Sequence, residues 1–198
     1  RYPHLDDRIR DTYGARSEAT NKNSLYDSYI RSIRWASDRI GDAGVIGFVT
    51  NAGFVEGSTA DGLRKCLVGE FSSLFVFHLR GNARTSGESR RKEKDNVFGV
   101  GSRAPVAISL LVKNPSANEH GRIYFQDIGD YLSREEKLEK IAAFASISGI
   151  EPWQSIVPDE HGDWLKQRDD SFSDFILLGA KTGKNRETLF ENYSRGLE

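Results

Sequence analysis

Apolar and polar positions along the chain change period several times, and each change marks an element. Residues 44–51 read Gly-Val-Ile-Gly-Phe-Val-Thr-Asn, short, β-branched, entered through glycine and left through polar residues. This predicts a strand buried on both faces, ending at a loop able to carry function. Upstream, Leu25, Tyr29, Ile33, Ala36 and Ile40 recur at the spacing of one helical face. Ser24 with Asp27 matches a capping box. The spacing therefore predicts a helix from Ser24 to about Ile40, with Arg31, Arg34, Asp38 and Arg39 pointing away from the buried face. Gly41-Asp42-Ala43-Gly44 ends it.

After Asn51 the run Ala52-Gly53-Phe54-Val55-Glu56-Gly57 reads as a loop, and Ser58 with Asp61 as a second cap, opening a helix that carries Leu63, Cys66 and Leu67. Residues 72–79 and 105–112 are rich in Phe, Val, Leu and Ile and predict two more buried strands; 122–126 predicts a further one. Ser133-Arg134-Glu135-Glu136 is a third capping box, opening a helix to about Phe144. Residues 1–23 are polar and loop-like, with a short helix around 7–13. Beyond Ser146, Pro152, Trp153, Pro158 and Trp164 predict irregular structure with a short helix near 163–167. Helix–strand–helix around a buried strand is the unit of an open α/β sheet.

The 198 residues suffice for one α/β domain with an appendage. With 37% apolar and 29% charged residues, the composition is that of a soluble globular protein with a modest core. The net charge of −1 offers no general field for nucleic acid, so any basic site must be local. The single Cys66 excludes an internal disulfide framework and a cysteine-based zinc site. No apolar run approaches the ~18 residues of a membrane span, and the N-terminus is no signal peptide, which implies a cytoplasmic setting. The chain has no Met, opens on Arg1-Tyr2-Pro3-His4 and stops at Gly196-Leu197-Glu198, so it reads as an excised piece of a larger protein.

One local basic site stands out. Residues 80–103 hold Arg80, Arg84, Arg90, Arg91, Lys92, Lys94 and Arg103 against Glu88, Glu93 and Asp95, a local excess of four positive charges. Either this long loop is solvated and mobile, or it binds phosphate backbones by counterion release. Phe98, in the same loop, either anchors it to the core or stacks on a base. Other motif-like runs fail on geometry. Gly99-Val100-Gly101 precedes a strand instead of joining a strand to a helix. Gly179-Ala180-Lys181-Thr182-Gly183-Lys184 has the wrong P-loop spacing, and Asn185 stands where Ser or Thr is required. Asp130 with Glu135-Glu136-Lys137 faintly matches a metal-nuclease pattern but sits at a helix start, where acids serve the dipole. His4, His78, His120 and His161 lack ligand spacing and read as surface or satisfied-core histidines. No metal site is expected.

The ordered series of elements resembles a known family. Asn23-Ser24-Leu25-Tyr26-Asp27-Ser28-Tyr29, a helix, the strand Gly44-Val45-Ile46-Gly47-Phe48-Val49-Thr50-Asn51, a helix with Leu63-Arg64, a strand over 72–79, a loop with Val97-Phe98 and a final strand from Val106 to Lys113 are similar to the post-catalytic half of amino-methylating DNA methyltransferases. The order matches over about 100 residues. Residues 23–39, Leu79-Arg80-Gly81-Asn82 and the run from Ile128 to Lys137 most resemble the methyltransferase region of large single-chain restriction–modification enzymes, which also carry a helicase-like motor and a nuclease.

The resemblance implies an α/β fold: a partial Rossmann-like methyltransferase sheet, with residues 1–130 its C-terminal half and 131–198 a mainly helical or irregular connector toward a target-recognition region. It implies a DNA adenine-N6 methyltransferase with S-adenosylmethionine as cofactor. The enzyme would flip its target base, because the reacting atom is otherwise buried in the stack. On this mapping Leu25 and Tyr29, one turn apart on one helix face, contact the cofactor adenine; Phe98 stacks on the flipped base; and the seven cations of residues 80–103 hold double-stranded DNA. The family's Asn-Pro-Pro-Tyr motif, its Gly-rich cofactor loop and the acid that binds the cofactor ribose are absent, the only Asn-Pro being Asn114-Pro115. No catalytic residue is therefore expected in this chain, and the chain alone is expected to be inactive. Its partners would be DNA and the rest of the parent polypeptide. An exposed strand edge would also favour self-association. The competing readings are a non-catalytic DNA-binding module of a helicase or restriction protein, and a purely structural domain.

Overall fold

Successive side chains on a strand point to opposite faces, so pairing register decides which apolar residues meet. In the computed structural model, β1 (Gly44–Asn51), β2 (Ser73–Arg80), β3 (Val106–Lys113), β4 (Arg122–Asp127) and β5 (Gln154–Ile156) form one mixed sheet in the order β1-β3-β2-β4-β5. β3 lies antiparallel between β1 and β2, β4 runs parallel to β2, and β5 closes the far edge antiparallel. The register aligns Ile46, Leu111, Leu74, Ile123 and Ile156 in one buried row across the sheet. Described are residues 2–99, 101–168, 171, 174–176, 178–179 and 188–190. They fall into two units, Arg1–Gln167 and Arg168–Glu198, and the sheet belongs to the first.

The helices of the first unit are α1 (Pro3–Ile9), α2 (Ser28–Ser37), α3 (Gly53–Glu56), α4 (Asp61–Glu70), α5 (Gly87–Glu93) and α6 (Arg134–Phe144). Ile9 of α1, Ile30 and Ile33 of α2, and Leu63 and Leu67 of α4 join the buried row in the main core. On the opposite face, Phe77 and Ile108 pack with Phe144, Ile150 and Trp153 in a second cluster beneath α6. The Ser133 capping box forms as predicted: Ser133 Oγ accepts from the Glu136 amide while the Glu136 carboxylate accepts from the Ser133 amide. In the second unit the Phe190 amide donates to the Leu178 carbonyl at 2.9 Å.

Several expectations need correction. β1 is an edge strand, not one buried on both faces. Ile46 points into the main core, but Val45 and Val49 are 64% and 55% exposed. The reason is topological: β3 pairs with one side of β1 only, and the second apolar cluster draws on β2 and β3, not β1.

The helix foreseen from Ser24 to Ile40 is two pieces. A 3-10 turn covers Asn23–Tyr26, Asp27 is extended (ψ 146°), and α2 starts at Ser28 and ends at Ser37. The Ser24 hydroxyl bonds Thr59 Oγ1 at 2.7 Å instead of capping. The buried stripe is consequently Ile30, Ile33, Arg34 and Ser37, and Arg34, expected outside, is buried against Glu70 with paired bonds of 2.7 and 2.9 Å. Asp61 caps nothing either. It is fully buried and accepts from Ser17 Oγ at 2.6 Å and the Glu18 amide at 2.7 Å, tying the N-terminal segment to α4. Residues 80–104 are not all loop, since α5 lies within them. β5 was not foreseen, and 163–167 form no helix, with bends at 164–166. Of the P-loop-like run, residues 180–184 lie outside the described residues, as does Val100.

Candidate functional site

Because β1, β2 and β4 run the same way, their carboxyl ends open on one side of the sheet, and the chain leaves each into a polar segment. Crevices at the carboxyl ends of such strands are where open α/β sheets take ligands. Here a polar cavity of about 440 Å³ is lined by Asn51 and Glu56 beyond β1, His78, Arg80 and Asn82 at the end of β2, and Asp127 at the end of β4. Asn51 shapes its own exit turn, its Oδ1 accepting from the Gly53 amide at 2.8 Å.

The register sets Thr50, Ala107, His78 and Asp127 in one row at this end. A bulge between His78 and Arg80 then turns the strand, and Arg80 adopts φ 58°, a conformation costly for a residue with a Cβ and found where surrounding contacts hold it. Those contacts are two carboxylates: Arg80 Nε meets Asp127 at 2.7 Å and Arg80 Nη1 meets Asp130 at 2.6 Å. Burial by itself would raise the Asp127 carboxyl. The His78 ring, the Arg80 guanidinium and the Gly129 amide outweigh it and hold the group at about 2. His78 Nδ1 lies 3.5 Å from Asp127 Oδ2, a long contact beside the cavity.

Since its folded value lies below that of a free carboxylate, Asp127 contributes stability that is present above about pH 4 and lost as pH falls through its folded value of about 2. Asp127→Asn is expected to flatten the acid limb of the unfolding profile between those pH values, followed by circular dichroism. An unchanged limb would refute this assignment.

The basic segment is held from below. Lys137, fully buried on α6, donates to the Glu93 carbonyl at 3.0 Å and the Asp95 carbonyl at 2.6 Å; burial presses its ammonium down to about 8. Asn96, also buried, donates from Nδ2 to the Gly81 and Ala104 carbonyls at 3.2 and 2.8 Å and accepts from the Phe98 amide at 3.0 Å. Val97 enters the second core cluster, while Phe98 is 65% exposed. The anchor of this loop is therefore Val97, and Phe98 is displayed.

Its seven cations separate into two groups. Arg80 pairs with Asp127 and Asp130, Arg91 with Glu88 at 3.2 Å, and Lys92 with Asp130 at 3.3 Å. Arg84, Arg90, Lys94 and Arg103 have no carboxylate partner among the described residues.

Leu25 and Tyr29 are not on one helix. Leu25, on the 3-10 turn, is fully buried in the main core. Tyr29, on α2, is half-buried, with its ring 6.4 Å from that of Phe54 in the segment leaving β1; burial raises its hydroxyl to about 12. Sequence reasoning gave no role at the site to four residues that shape this region: His78, Asn96, Arg134 and Lys137. The Ser133 capping box placed Arg134 at the start of a helix, His78 was read as a surface or satisfied-core histidine, and Lys137 appeared only in a nuclease-like run that was set aside. Among the described residues no group of three or more His, Cys, Asp and Glu is placed to hold a metal ion, and no helix is long and apolar enough to cross a membrane.

The chain is similar to solved structures over nearly its whole length. It shares 46% identity and a TM-score of 0.85 with a nuclease-deletion mutant of the Type ISP restriction–modification enzyme LlaGI in complex with a DNA substrate mimic, covering 92% of this chain and 17% of that one. With the ATP-dependent Type ISP restriction–modification enzyme LlaBIII bound to DNA it shares 41% identity and a TM-score of 0.87, covering 96% of this chain and 13% of that one. With a DrdV–DNA complex the values are 36%, 0.82, 91% and 17%. The chain thus spans less than a fifth of the length of each of these proteins. No protein-family model and no curated protein matches it.

Proposed function

We propose that this chain is one part of a DNA adenine-N6 methyltransferase domain in a restriction–modification enzyme, with double-stranded DNA as its partner. The observation that carries the proposal is the likeness, above 90% of the chain and above 40% identity, to two Type ISP restriction–modification enzymes in structures that hold DNA or a DNA mimic. The element order supports it. The strand Gly44–Asn51, the helix bearing Leu63-Arg64, the strand Ser73–Arg80, the displayed Phe98 and the strand Val106–Lys113 stand in the sequence quoted for the methyltransferase resemblance.

Adenine N6 is reached only when the base leaves the stack. In this reading the cavity beyond β1 and β2 forms one wall of the pocket, Phe98 stacks on the extruded base, and the cations without carboxylate partners hold backbone phosphates. S-adenosylmethionine supplies the methyl group when bound. Of the residues assigned to it, Tyr29 fits: its half-buried ring, backed by Phe54, can offer an apolar edge to the cofactor adenine. Leu25 has no surface to offer and lies behind it in the core. The free edge of β1, with Val45 and Val49 exposed, pairs either with the rest of the parent polypeptide or with a second copy of the chain.

Methyl transfer from labelled S-adenosylmethionine tests the proposal. The longer parent polypeptide is expected to label adenine N6 in duplex DNA, Phe98→Ala to slow it by about tenfold or more through loss of a stacking contact, and the 198-residue chain alone to be inactive. Labelling of cytosine, or none with the parent polypeptide, would refute it.

A further inference from the structure

We infer that a second, smaller cleft beside Phe98 seats a single phosphodiester of a nucleic-acid backbone, and that Arg134 of α6 is one of its ligands. The inference deepens the reading above and rests on it for the identity of the polymer. The cleft, about 400 Å³, is separate in its lining from the cavity at the strand ends. Four cations line it, Arg90, Lys94 and Arg103 from the basic segment and Arg134 from α6, against two carboxylates, Asp95 and Glu135. The three cations from the segment belong to the group without a carboxylate partner. Arg134 has only a 3.6 Å approach to Glu135, and its Nε donates to the Val97 carbonyl at 3.0 Å. That bond directs the guanidinium to the base of the turn that displays Phe98.

Small and neutral residues, Gly81, Ala83, Asn96, Gly99, Gly101 and Ser102, complete the lining. Gly99 and Gly101 have φ values of 81° and 105°; a Cβ on Gly101 would meet open space, and one on Gly99 would meet only the Arg134 side chain at 3.8 Å. A cleft ringed by guanidinium and ammonium groups, with glycines at two of its lining positions, suits a tetrahedral anion, which takes several donors at once. Phe98 is exposed and adjoins in the chain Gly99, which lines the cleft, so a base stacked on it would bring its own phosphate within reach of the same cations. A free anion would gain nothing from that neighbour. The adjacency therefore favours a backbone phosphate over the free ion.

Salt dependence of duplex binding by the 198-residue chain separates the outcomes. Between about 50 and about 200 mM salt, Arg134→Ala and Arg103→Ala are each expected to lower the slope of log affinity against log salt by about 1. Each should weaken binding about fivefold to tenfold near 0.1 M salt. Arg134→Lys should restore the slope, because charge and not packing is lost. Arg122→Ala, at the opposite end of β4, should leave it unchanged. If the wild-type chain binds DNA but Arg134→Ala and Arg103→Ala keep its slope, the cleft assignment falls while the DNA reading stands. If the wild-type chain shows no salt-dependent binding, both fall. Displacement of the duplex by inorganic phosphate at constant ionic strength, abolished in Arg134→Ala, would make this a free-anion site and overturn the inference.

Discussion

Arg64→Met is expected to destabilise the first unit by about 3–5 kcal/mol, the cost of breaking a buried ion pair from one side. Arg64 lies on α4, almost wholly buried. Its guanidinium donates to the Phe54 and Gly57 carbonyls at 2.9 and 2.7 Å, to the Gly162 carbonyl at 2.7 Å and to the Asp163 carboxylate. One side chain thus closes the segment leaving β1 against residues 162–163. Methionine keeps the aliphatic stem but leaves three carbonyls and a carboxylate without these donors. Against a usual stability of about 5–15 kcal/mol, that is a large fraction. Denaturant unfolding measures it. Arg64→Met/Asp163→Leu should recover part of the loss, because replacing both charges is cheaper than orphaning one. A single variant within about 1 kcal/mol of wild type would refute this role. Within the segment it holds, Glu56 and Gly57 line the candidate cavity, so loosening that segment should also blur the site.

Arg64 also illustrates how far the sequence could be read. Apolar runs located all the strands but the short β5 and the helix bearing Leu63, and a capping box located the helix opened by Ser133, because those patterns are local. Periodicity could not place Arg64 inside, since arginine is ordinarily exposed and its partner lies 99 positions downstream. The same limit explains Arg34, buried through Glu70, and Asp61, read as a cap but satisfied by Ser17. β1 was misjudged for a related reason: an unbroken apolar run shows that a strand is hydrophobic, not how many neighbours it has. At the site, the basic composition of residues 80–103 was legible, but not its partition into carboxylate-paired and unpaired cations. That partition depends on Asp127 and Asp130 arriving from β4, and on α6 adding Arg134. Of the two readings of Phe98, the core-anchoring one loses its place to a neighbour. Val97 took the core position and left Phe98 outside.

Asn96→Ala should therefore have two consequences that Phe98→Ala separates. The Asn96 side chain is the joint of the basic segment. Two carbonyls on its flanks, Gly81 and Ala104, share its amide hydrogens, and its oxygen receives the Phe98 amide. Alanine leaves those groups unpaired in a place mostly closed to water, a penalty of about 2–3 kcal/mol in total, less than the full sum because the segment's outer side can admit solvent. Aspartate does not rescue it, because a carboxylate has no hydrogen to offer two carbonyl oxygens. With the joint gone, Phe98 is no longer held at one angle, and a stacking partner must order it on binding. Asn96→Ala should thus lower both the unfolding midpoint and the affinity for DNA presenting an unstacked base. Phe98→Ala should lower that affinity by about 1–3 kcal/mol and leave stability nearly unchanged, because an exposed ring contributes little to the core. If Phe98→Ala costs as much stability as Asn96→Ala, the ring is an anchor after all and its role in binding fails. If Asn96→Ala unfolds at the wild-type midpoint, the loop is not held in this way, and the display of Phe98 requires another cause.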